Sequence, residues 1–357
     1  MNPIRTAIIG QGRSGRDIHG LALPQLGDLY RITDIVEELP ERRARAEREF
    51  GCRVHADYRA LLGRDDIDLV VNASYSCQHV PLTLELLEDG QNVLCEKPLA
   101  RTAADVDRLI AAAEKSGAKF AIFQQSRFSP AYQQVRRVLE SGILGRPVQI
   151  TIAYSGFARR WDWQTLQSMH GGNLLNTGPH PVDQALTFFA PDVMPEVRCR
   201  MDRANTFGDA EDFVKLSLSA PDAPLVEVEI SSCSAFPVPT YRIQATRGGL
   251  EGSLTELKWR WFDECEAPRQ TLQRAPLSGE DGTPRYCGEE LPWQSGSWTV
   301  PEEQSDLFLT MSFAFYRMLH AHLTADAPLA VTPQQVRRQI AVMEICHMQN
   351  PLSRLDD

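Results

Sequence analysis

The sequence predicts an α/β fold in two parts, in which a mainly parallel sheet is followed by an α+β part built on a large, mainly antiparallel open sheet. Short apolar runs alternate with helical segments up to residue 124, which is the βαβ rhythm of a parallel sheet. Strand-like runs then dominate from residue 148, and two long helical segments close the chain. A length of 357 residues also suggests two domains, which we place at 1–124 and 125–357.

The first part contains five predicted strands. The run at 4–9 ends in Gly10, as a buried parallel strand should, and residues 30–37 give the second strand. Pro40 opens the next helix, because proline is favoured in the first helical turn. Further strands are predicted at 68–73, 92–95 and 119–124, with helices at 79–89 and 103–115 between them.

The rhythm changes after Pro130. A helix at 131–141 leads into a series of strands, predicted at 148–154, 195–203, 211–219, 225–234 and 240–246. The segment 264–303 is rich in Gly, Pro, Ser and Glu, which predicts loops with a hairpin near Trp293 and Trp298. Helices at 305–324 and 333–348 close the chain, and we expect them to pack back toward the first domain.

Composition argues against several classes of protein. No stretch reaches the roughly 20 apolar residues that a membrane helix needs, and a formal net charge of −10 disfavours a nucleic-acid surface. The amino terminus lacks the features of a signal peptide, so we expect a cytoplasmic protein. The eight cysteines form no CxxC pair, which indicates neither a zinc site nor a redox dithiol, and no metal is expected.

A glycine-rich motif follows the first predicted strand and opens a helix. It matches G-x-G-x-x-G, in which the glycines allow a tight turn, close approach to a pyrophosphate and close packing of helix on strand. The helix start offers free amide groups to a diphosphate. The motif therefore predicts a Rossmann domain that binds a dinucleotide through residues Gly10, Gln11, Gly12, Arg13, Ser14 and Gly15.

An acidic residue ends the second strand. Glu37 lies 22 residues after Gly15, close to the roughly 20-residue spacing expected of the acid that binds the adenosine ribose. A carboxylate at this place repels a 2′-phosphate. Glu38 adds a second negative charge, and no adjacent arginine favours the phosphorylated cofactor. We therefore predict NAD in preference to NADP.

A lysine follows the strand at 92–95, in the tripeptide Glu96-Lys97-Pro98. This places the Lys97 side chain at the carboxyl end of a parallel strand, where open α/β sheets bind ligands. The tripeptide alone fits a solvated turn lysine equally well.

Asn176, His180 and Asp183 follow one another at offsets of four and three. On a helix these three side chains would share one face. Pro181 would disturb that helix unless it falls in the first turn. A structural histidine is the alternative for His180, and a salt bridge on the helix face is the alternative for Asp183.

An aromatic and charged segment precedes these residues. Arg160, Trp161 and Trp163 fit a wall of a sugar pocket, because indole rings stack on sugar rings and guanidinium groups bind hydroxyls. Two Trp residues at this spacing also suit packing on one face of a strand.

The chain resembles, over nearly its whole length, the glucose-fructose oxidoreductase and inositol dehydrogenase family, often written Gfo/Idh/MocA. The resemblance rests on motifs spread along the chain, namely the loop at Gly10, Glu37 with Pro40-Glu41-Arg42, His79, Glu96-Lys97-Pro98, Arg127-Phe128-Ser129-Pro130, Gly142-Ile143-Leu144-Gly145, the segment 171–183, and Thr332-Pro333. It implies a Rossmann domain, a second domain on a large open sheet, and an active site between them.

The resemblance also implies roles for individual residues. Lys97 and His180 would be catalytic, with His180 as general base and Lys97 polarising the substrate hydroxyl. Asn176, which stands where many family members carry Asp, would bind substrate with Asp183, Arg160, Trp161 and Trp163. The cofactor contacts would include Ser74, His79, Glu96, Lys97 and Gln125, although the loop at 73–79 lacks the family's common Pro-Asn pair and Gln125 replaces a common Asn.

The function that follows is an NAD-dependent dehydrogenase that acts on a secondary hydroxyl of a sugar, a glycoside or a cyclic polyol. A redox-neutral glycosidase that uses NAD transiently is one alternative, and a non-catalytic sugar or cofactor sensor is another. The expected partners are the carbohydrate or polyol substrate and copies of the same chain in a homodimer or homotetramer.

Overall fold

The computed structural model describes residues 2–355 and contains two sheets. The first sheet has six parallel strands in the order β3-β2-β1-β4-β5-β6. Their bounds are β1 Ile4–Ile9, β2 Tyr30–Val36, β3 Arg53–His55, β4 Leu69–Asn72, β5 Val93–Cys95 and β6 Phe120–Ile122. The strand order reverses between β1 and β4, and such a switch point forms a crevice for ligands at the carboxyl ends of the strands.

The helices of the first domain connect its parallel strands. The predicted helix after the glycine loop is irregular, because a π-helical segment at Arg13–His19 leads into the short α1 (Gly20–Ala22). The other helices are α2 Pro40–Phe50, α3 His79–Glu88 and α4 Ala103–Ser116. Thr102 caps α4 by accepting a hydrogen bond from the Asp105 amide, which satisfies a donor that the first helical turn leaves free.

The second sheet has eight strands in the order β14-β13-β12-β11-β7-β10-β9-β8. Its strands are β7 Pro147–Ser155, β8 Glu196–Asp202, β9 Phe213–Ser219, β10 Leu225–Ser231, β11 Tyr241–Ala245, β12 Gly248–Gly252, β13 Glu256–Trp261 and β14 Gln294–Thr299. The pair β7–β10 is parallel and the other pairs are antiparallel. The predicted fold class is therefore confirmed.

Three strands at the β14 edge differ from the sequence prediction. The hairpin expected near Trp293 and Trp298 is wrong, because Trp298 lies in β14 and that strand pairs with the much earlier β13. Neither β12 nor β13 was expected. The first, Gly-Gly-Leu-Glu-Gly, lacks the β-branched residues that mark a strand. A Cβ atom at Gly248 would lie 2.0 Å from the Arg260 carbonyl oxygen, so the close pairing of β12 with β13 requires glycine there.

The remaining helices follow the parallel sheet in the chain. They are α5 Pro130–Glu140, α6 Asn173–Asn176, α7 Pro179–Leu186, α8 Leu307–Ala325 and α9 Pro333–Gln349. From α8, Phe315, Tyr316 and Leu319 are buried in a cluster with Tyr30 and Phe123 of the first domain. In the described part of the chain, no helix combines the length and apolar character needed to cross a bilayer.

Candidate active site

The glycine loop lies at the switch point between β1 and β4. Gly10 has a φ of +91°, and a Cβ atom there would lie 2.5 Å from the Ala73 carbonyl oxygen. A Cβ atom on Gly15 would lie 1.8 Å from the Gly10 carbonyl oxygen. A Cβ atom on Gly12, by contrast, would have no atom of the described residues within 4 Å. The first and third glycines therefore pack the loop on the sheet, and the second leaves the room that a diphosphate needs.

Glu37 follows β2 and is 8% exposed. Its carboxylate accepts hydrogen bonds from the Gln11 amide at 2.8 Å and the Leu39 amide at 3.0 Å. The carboxylate thus stands beside the glycine loop, where a ribose binder belongs. No arginine adjoins Glu37 or Glu38 in the chain, but in space the first turn of α2 brings Arg42 Nη1 to 3.7 Å from Glu37 Oε2.

Lys97 lies just beyond β5, in the turn that contains the cis peptide bond Lys97-Pro98. The half-buried ammonium donates a hydrogen bond of 2.8 Å to the carbonyl oxygen of Asn176 in the second domain. Burial lowers the pKa of Lys97, and the charge of Glu96 opposes that shift. Arg13 and Arg160 add positive charge that lowers this pKa further.

Glu96 is held inside the first domain and is 3% exposed. One carboxylate oxygen lies 3.1 Å from His19 Nε2, and the other accepts a hydrogen bond of 3.0 Å from the Lys97 amide. Burial opposes ionisation, but the bond from His19 and the nearby positive charges prevail and bring the pKa of Glu96 to about 2. The bond to its own neighbour fixes the turn that presents Lys97.

His180 is the second residue of α7, and Pro181 falls in the first turn of that helix, where proline is tolerated. The His180 ring has no hydrogen-bond partner within residues 2–355, and its Nδ1 is buried. Burial, followed by the charge of Lys97, lowers the pKa of His180 to about 3. The imidazole is therefore neutral at physiological pH.

Asn176 ends α6 and joins Lys97 to the segment that precedes the helix. Its side-chain oxygen accepts a hydrogen bond of 3.3 Å from Gln164. Gln164 in turn accepts a bond from Arg160, which also forms an ion pair of 2.6 Å with Asp162. Arg160 is therefore linked to Lys97 through the side chain of Gln164 and through Asn176, whose backbone carbonyl oxygen accepts the bond from the lysine.

The two tryptophans of the predicted pocket wall have different environments. Trp161 is 79% exposed and lies edge-on to Phe207, with ring centroids 6.4 Å apart. Trp163 begins a 3-10 turn and packs edge-on against Tyr75 of the first domain, with centroids 5.0 Å apart. The alternative of packing on one strand face is therefore wrong, and Trp163 joins the two domains.

Asp183 pairs with Arg127 and not with Arg160, Gln164 or Asn176. It is 1% exposed, and its two carboxylate oxygens accept hydrogen bonds of 2.6 and 2.9 Å from Arg127. Burial raises the pKa of Asp183, and Arg127 opposes that shift. The salt bridge left open by the sequence is thus present, and a role for Asp183 in binding substrate stays a prediction.

Ser74 and His79 shape the loop after β4. The Ser74 hydroxyl donates to Asn72 at 2.7 Å. The buried His79 ring lies 2.7 Å from the Pro98 carbonyl oxygen and 3.2 Å from that of Ser74. His79 begins α3, as the alternative for this residue allowed. These bonds tie the loop to the turn of Lys97, and direct contact of Ser74 or His79 with a cofactor stays a prediction.

Comparisons with known proteins identify the family of this chain. The model of the oxidoreductase family with an NAD-binding Rossmann fold matches residues 4–124, and the Gfo/Idh/MocA C-terminal domain model matches residues 132–251. The chain belongs to the Gfo/Idh/MocA family. It is an NAD-binding oxidoreductase, with the glycine loop and Glu37 in the matched domain.

Two relatives of this Gfo/Idh/MocA chain have different activities in their names. It is similar to inositol 2-dehydrogenase 2 of Saccharopolyspora erythraea, at 29% identity over 78% of this chain and 79% of that protein. It is also similar to 2,7-anhydro-N-acetylneuraminate hydratase of Mediterraneibacter gnavus, at 24% identity over 82% and 78% of the two chains.

A solved structure shares the fold over the full length. The WlbA dehydrogenase of Bordetella pertussis, in complex with NADH and UDP-GlcNAcA, has a TM-score of 0.78 at 18% identity. The match covers 99% of this chain and 98% of the other. Both sheets of this Gfo/Idh/MocA chain therefore have counterparts in a known architecture.

Residues beyond the carboxyl ends of the parallel strands of this Gfo/Idh/MocA protein fit NAD. Besides the open space at Gly12, the side-chain oxygens of Gln11 and Gln125 are buried without a hydrogen-bond partner within the described residues. A buried oxygen of this kind calls for a donor. The hydroxyl and amide groups of a dinucleotide supply such donors.

Several residues that shape the Gfo/Idh/MocA site were missed at the sequence level. His19 bonds to Glu96, Gln164 bonds to Asn176, and Tyr75 packs on Trp163. For His19, a faint signal exists, since it is a lone imidazole in the otherwise apolar run Ile18-His19-Gly20-Leu21. The contact of Tyr75 with Trp163 joins segments far apart in the chain, and that of Gln164 with Asn176 spans 12 residues of irregular chain with no regular spacing.

Proposed function

We propose that the protein is an NAD-dependent dehydrogenase that transfers a hydride between a secondary hydroxyl of a sugar, a glycoside or a cyclic polyol and the nicotinamide. The observation that carries the proposal is the neutral, unpartnered imidazole of His180 within the field of the Lys97 ammonium. The inositol dehydrogenase among the relatives supports a polyhydroxylated substrate.

In this proposal His180 acts as the general base. Burial keeps the ring neutral at physiological pH, and a neutral ring nitrogen has the lone pair that takes the proton of the substrate hydroxyl. The bound NAD supplies the hydride acceptor, and the glycine loop with Glu37 would hold it.

Lys97 stabilises the negative charge that grows on the substrate oxygen. An ammonium group has three donors, and the bond to the Asn176 carbonyl oxygen uses one of them. The other donors are free to bind the substrate hydroxyl and the developing alkoxide. The same bond to Asn176 fixes the lysine between the two domains.

The experiment is a screen of sugars, glycosides and inositols that follows NADH absorbance, repeated with Lys97→Ala and His180→Ala. Each variant should lower turnover by roughly 10²–10⁴-fold while NAD binding, measured by calorimetry, stays close to that of the unaltered protein. Lys115→Ala, at an exposed position of α4, is the control and should leave turnover unchanged. Full turnover in both Lys97→Ala and His180→Ala would refute the role assignment.

A redox-neutral reaction on a glycoside is the second candidate, favoured by the similarity to a 2,7-anhydro-N-acetylneuraminate hydratase. In that case the same pair of residues would act on a sugar that is oxidised only transiently. Product formation from a glycoside without net release of NADH would identify this reaction. A failure to turn over any substrate of the panel would instead favour a sensor of sugars or cofactor.

We further propose that the chain forms a homodimer or homotetramer through the outer face of the second sheet. A groove of about 990 Å³ lies across β11–β14 and is lined by Trp259 and Trp293 among other residues. Light scattering after size-exclusion chromatography measures the mass in solution, and a monomer at micromolar concentration would contradict the proposal.

A further inference from the structure

The start of α6 is held by hydrogen bonds to the residues that lead into β9. The Asn173 amide donates a hydrogen bond of 2.8 Å to the Glu211 carbonyl oxygen, and the Leu174 amide donates one of 2.9 Å to Glu211 Oε1. The Asn173 side chain donates a third, of 2.7 Å, to the Asp212 carbonyl oxygen. Both the backbone and the side chain of Glu211 therefore hold the first turn of the helix.

Glu211 fits closely against the chain that it holds. Glu211 is buried, with 2% of its surface exposed. Gly172 adopts a φ of +102°, and a Cβ atom there would lie 2.4 Å from Glu211 Oε1. The carboxyl group thus occupies the space that a side chain at position 172 would take, so that its bond to Leu174 has little room to shift.

The other end of the same helix carries the partner of Lys97. α6 has four residues, a single turn, and its last residue is Asn176. The Asn176 carbonyl oxygen receives the Lys97 ammonium at 2.8 Å. A movement of the first amides of so short a helix displaces its last carbonyl group as well.

We propose that Glu211 is a positioning residue for catalysis, because its carboxyl group holds α6 in the place where the Asn176 carbonyl oxygen receives Lys97. The inference rests on the proposed function of Lys97. Glu211 does not itself contact the proposed substrate or cofactor position. It acts through Leu174, α6 and Asn176.

The charge on Glu211 responds to pH in the neutral range. Burial raises its pKa to about 7, while hydrogen bonds from its own amide and from Leu174, together with Arg101, oppose the shift. The other titratable or charged groups near it are Asp212 on its own segment, Cys346 on α9 and Arg160 at the small adjoining cavity.

Ionisation of Glu211 loosens its hold on α6, because a pKa raised to about 7 means that burial disfavours the carboxylate by more than the bond from Leu174 stabilises it. The stabilising contribution of Glu211 is present below the usual pKa of 4.5 and is lost as the pH rises through about 7. We therefore expect kcat/KM to fall as the pH increases through neutrality. His180 does not account for such a fall, since its pKa of about 3 leaves it neutral throughout that range.

The test compares Glu211→Gln and Glu211→Ala in the full chain. The amide of Glu211→Gln still accepts a bond from Leu174 but does not titrate, so this variant should retain kcat/KM within about 10-fold and lose the fall near neutral pH. Glu211→Ala removes the bond, and kcat/KM should fall by roughly 10²-fold, as for a misplaced catalytic group. Asp209→Asn is the matched control, because the buried Asp209 accepts bonds from Gln167 and Leu355 rather than from α6.

A second readout needs no substrate. Hydrogen exchange at residues 173–178, followed by mass spectrometry, should be faster in Glu211→Ala than in Asp209→Asn. In the unaltered protein, exchange corrected for its intrinsic pH dependence should become faster as Glu211 ionises.

A fall in kcat/KM near neutral pH that persists in Glu211→Gln, or unchanged exchange in Glu211→Ala, would overturn the proposal. If the protein turns over no sugar or polyol, the proposed function fails, and the exchange data alone decide whether Glu211 holds α6.

Discussion

The ammonium of Lys97 bonds to the backbone carbonyl oxygen of Asn176, at 2.8 Å, and not to the side chain of that residue. The side-chain oxygen of Asn176 instead accepts a bond from Gln164. The lysine therefore keeps its partner whichever residue occupies position 176. Having Asn where the family often has Asp changes the charge beside Lys97 and His180 and leaves this contact intact.

Asn176→Asp should raise the pKa of His180 above its value of about 3, because a carboxylate stabilises a nearby imidazolium. Nitrogen chemical shifts of the ring, measured against pH, report this titration directly. Asn176→Leu, which adds no charge, serves as the control and should leave the pKa of His180 near its original value. Identical titrations in Asn176→Asp and in the unaltered protein would contradict the electrostatic link.

Glu37→Ala should shift cofactor preference toward NADP. The change removes the carboxylate that repels a 2′-phosphate and leaves Arg42, now 3.7 Å from that carboxylate, free to bind it. We expect the ratio of kcat/KM for NADP to that for NAD to rise by about 10-fold or more, which corresponds to about 1.4 kcal/mol. Glu38→Ala, at an exposed position, should change the ratio little. The double variant Glu37→Ala/Arg42→Ala should lose the gain.

The sequence predicted the parts of the molecule that depend on local pattern. Five of the six parallel strands, all but β3, and the glycine loop were recognisable because buried β-branched runs and glycines at fixed spacing leave a strong signal. The strand β12 was missed, because its glycines serve close pairing with β13 and carry no strand propensity.

The parts of the site that depend on contacts between distant segments were harder to predict. The bond from Lys97 to Asn176 spans 79 residues, and the bond from His19 to Glu96 spans 77. No spacing rule in the sequence links such pairs. The contact between Arg42 and Glu37 was not anticipated for a related reason, since the first turn of α2 and not adjacency in the chain brings the two side chains together.

His19→Leu should destabilise the protein most at neutral pH. It leaves the Glu96 carboxylate buried without its imidazole partner, and loss of one member of a buried pair costs about 3–5 kcal/mol. The pKa of Glu96, about 2, lies below the usual 4.5, so its stabilising contribution is present above about pH 4.5 and is lost as the pH falls toward 2. The difference in stability between the two proteins should therefore shrink in acid.

Urea unfolding at about pH 7 and about pH 3 measures this difference. Tyr316→Phe is the matched control, because it removes only the hydroxyl group that lies 2.7 Å from His19 Nδ1. It should cost about 1 kcal/mol with little dependence on pH. An equal loss for His19→Leu at both pH values would show that the imidazole contributes packing and not charge stabilisation.

Trp163→Ala and Trp161→Ala should separate packing between the domains from contact with substrate. Trp163 packs on Tyr75, and loss of an aromatic pair costs about 0.5–1.5 kcal/mol beyond the buried area, so Trp163→Ala should lower the thermal midpoint. Trp161 is 79% exposed, so Trp161→Ala should leave the midpoint unchanged and raise KM for the substrate if its indole ring contacts the sugar. An unchanged KM in Trp161→Ala would remove that residue from the proposed pocket.

Asp183→Asn tests whether this carboxylate stabilises the fold or binds substrate. The change leaves Arg127 without its carboxylate partner, so the free energy of unfolding should fall by about 3–5 kcal/mol. The double variant Arg127→Met/Asp183→Leu replaces the buried pair by apolar side chains of similar size and should recover most of that loss. If the carboxylate is purely structural, KM for the substrate recovers together with stability. If KM stays raised while stability returns, Asp183 binds the substrate, and its pairing with Arg127 serves to orient it.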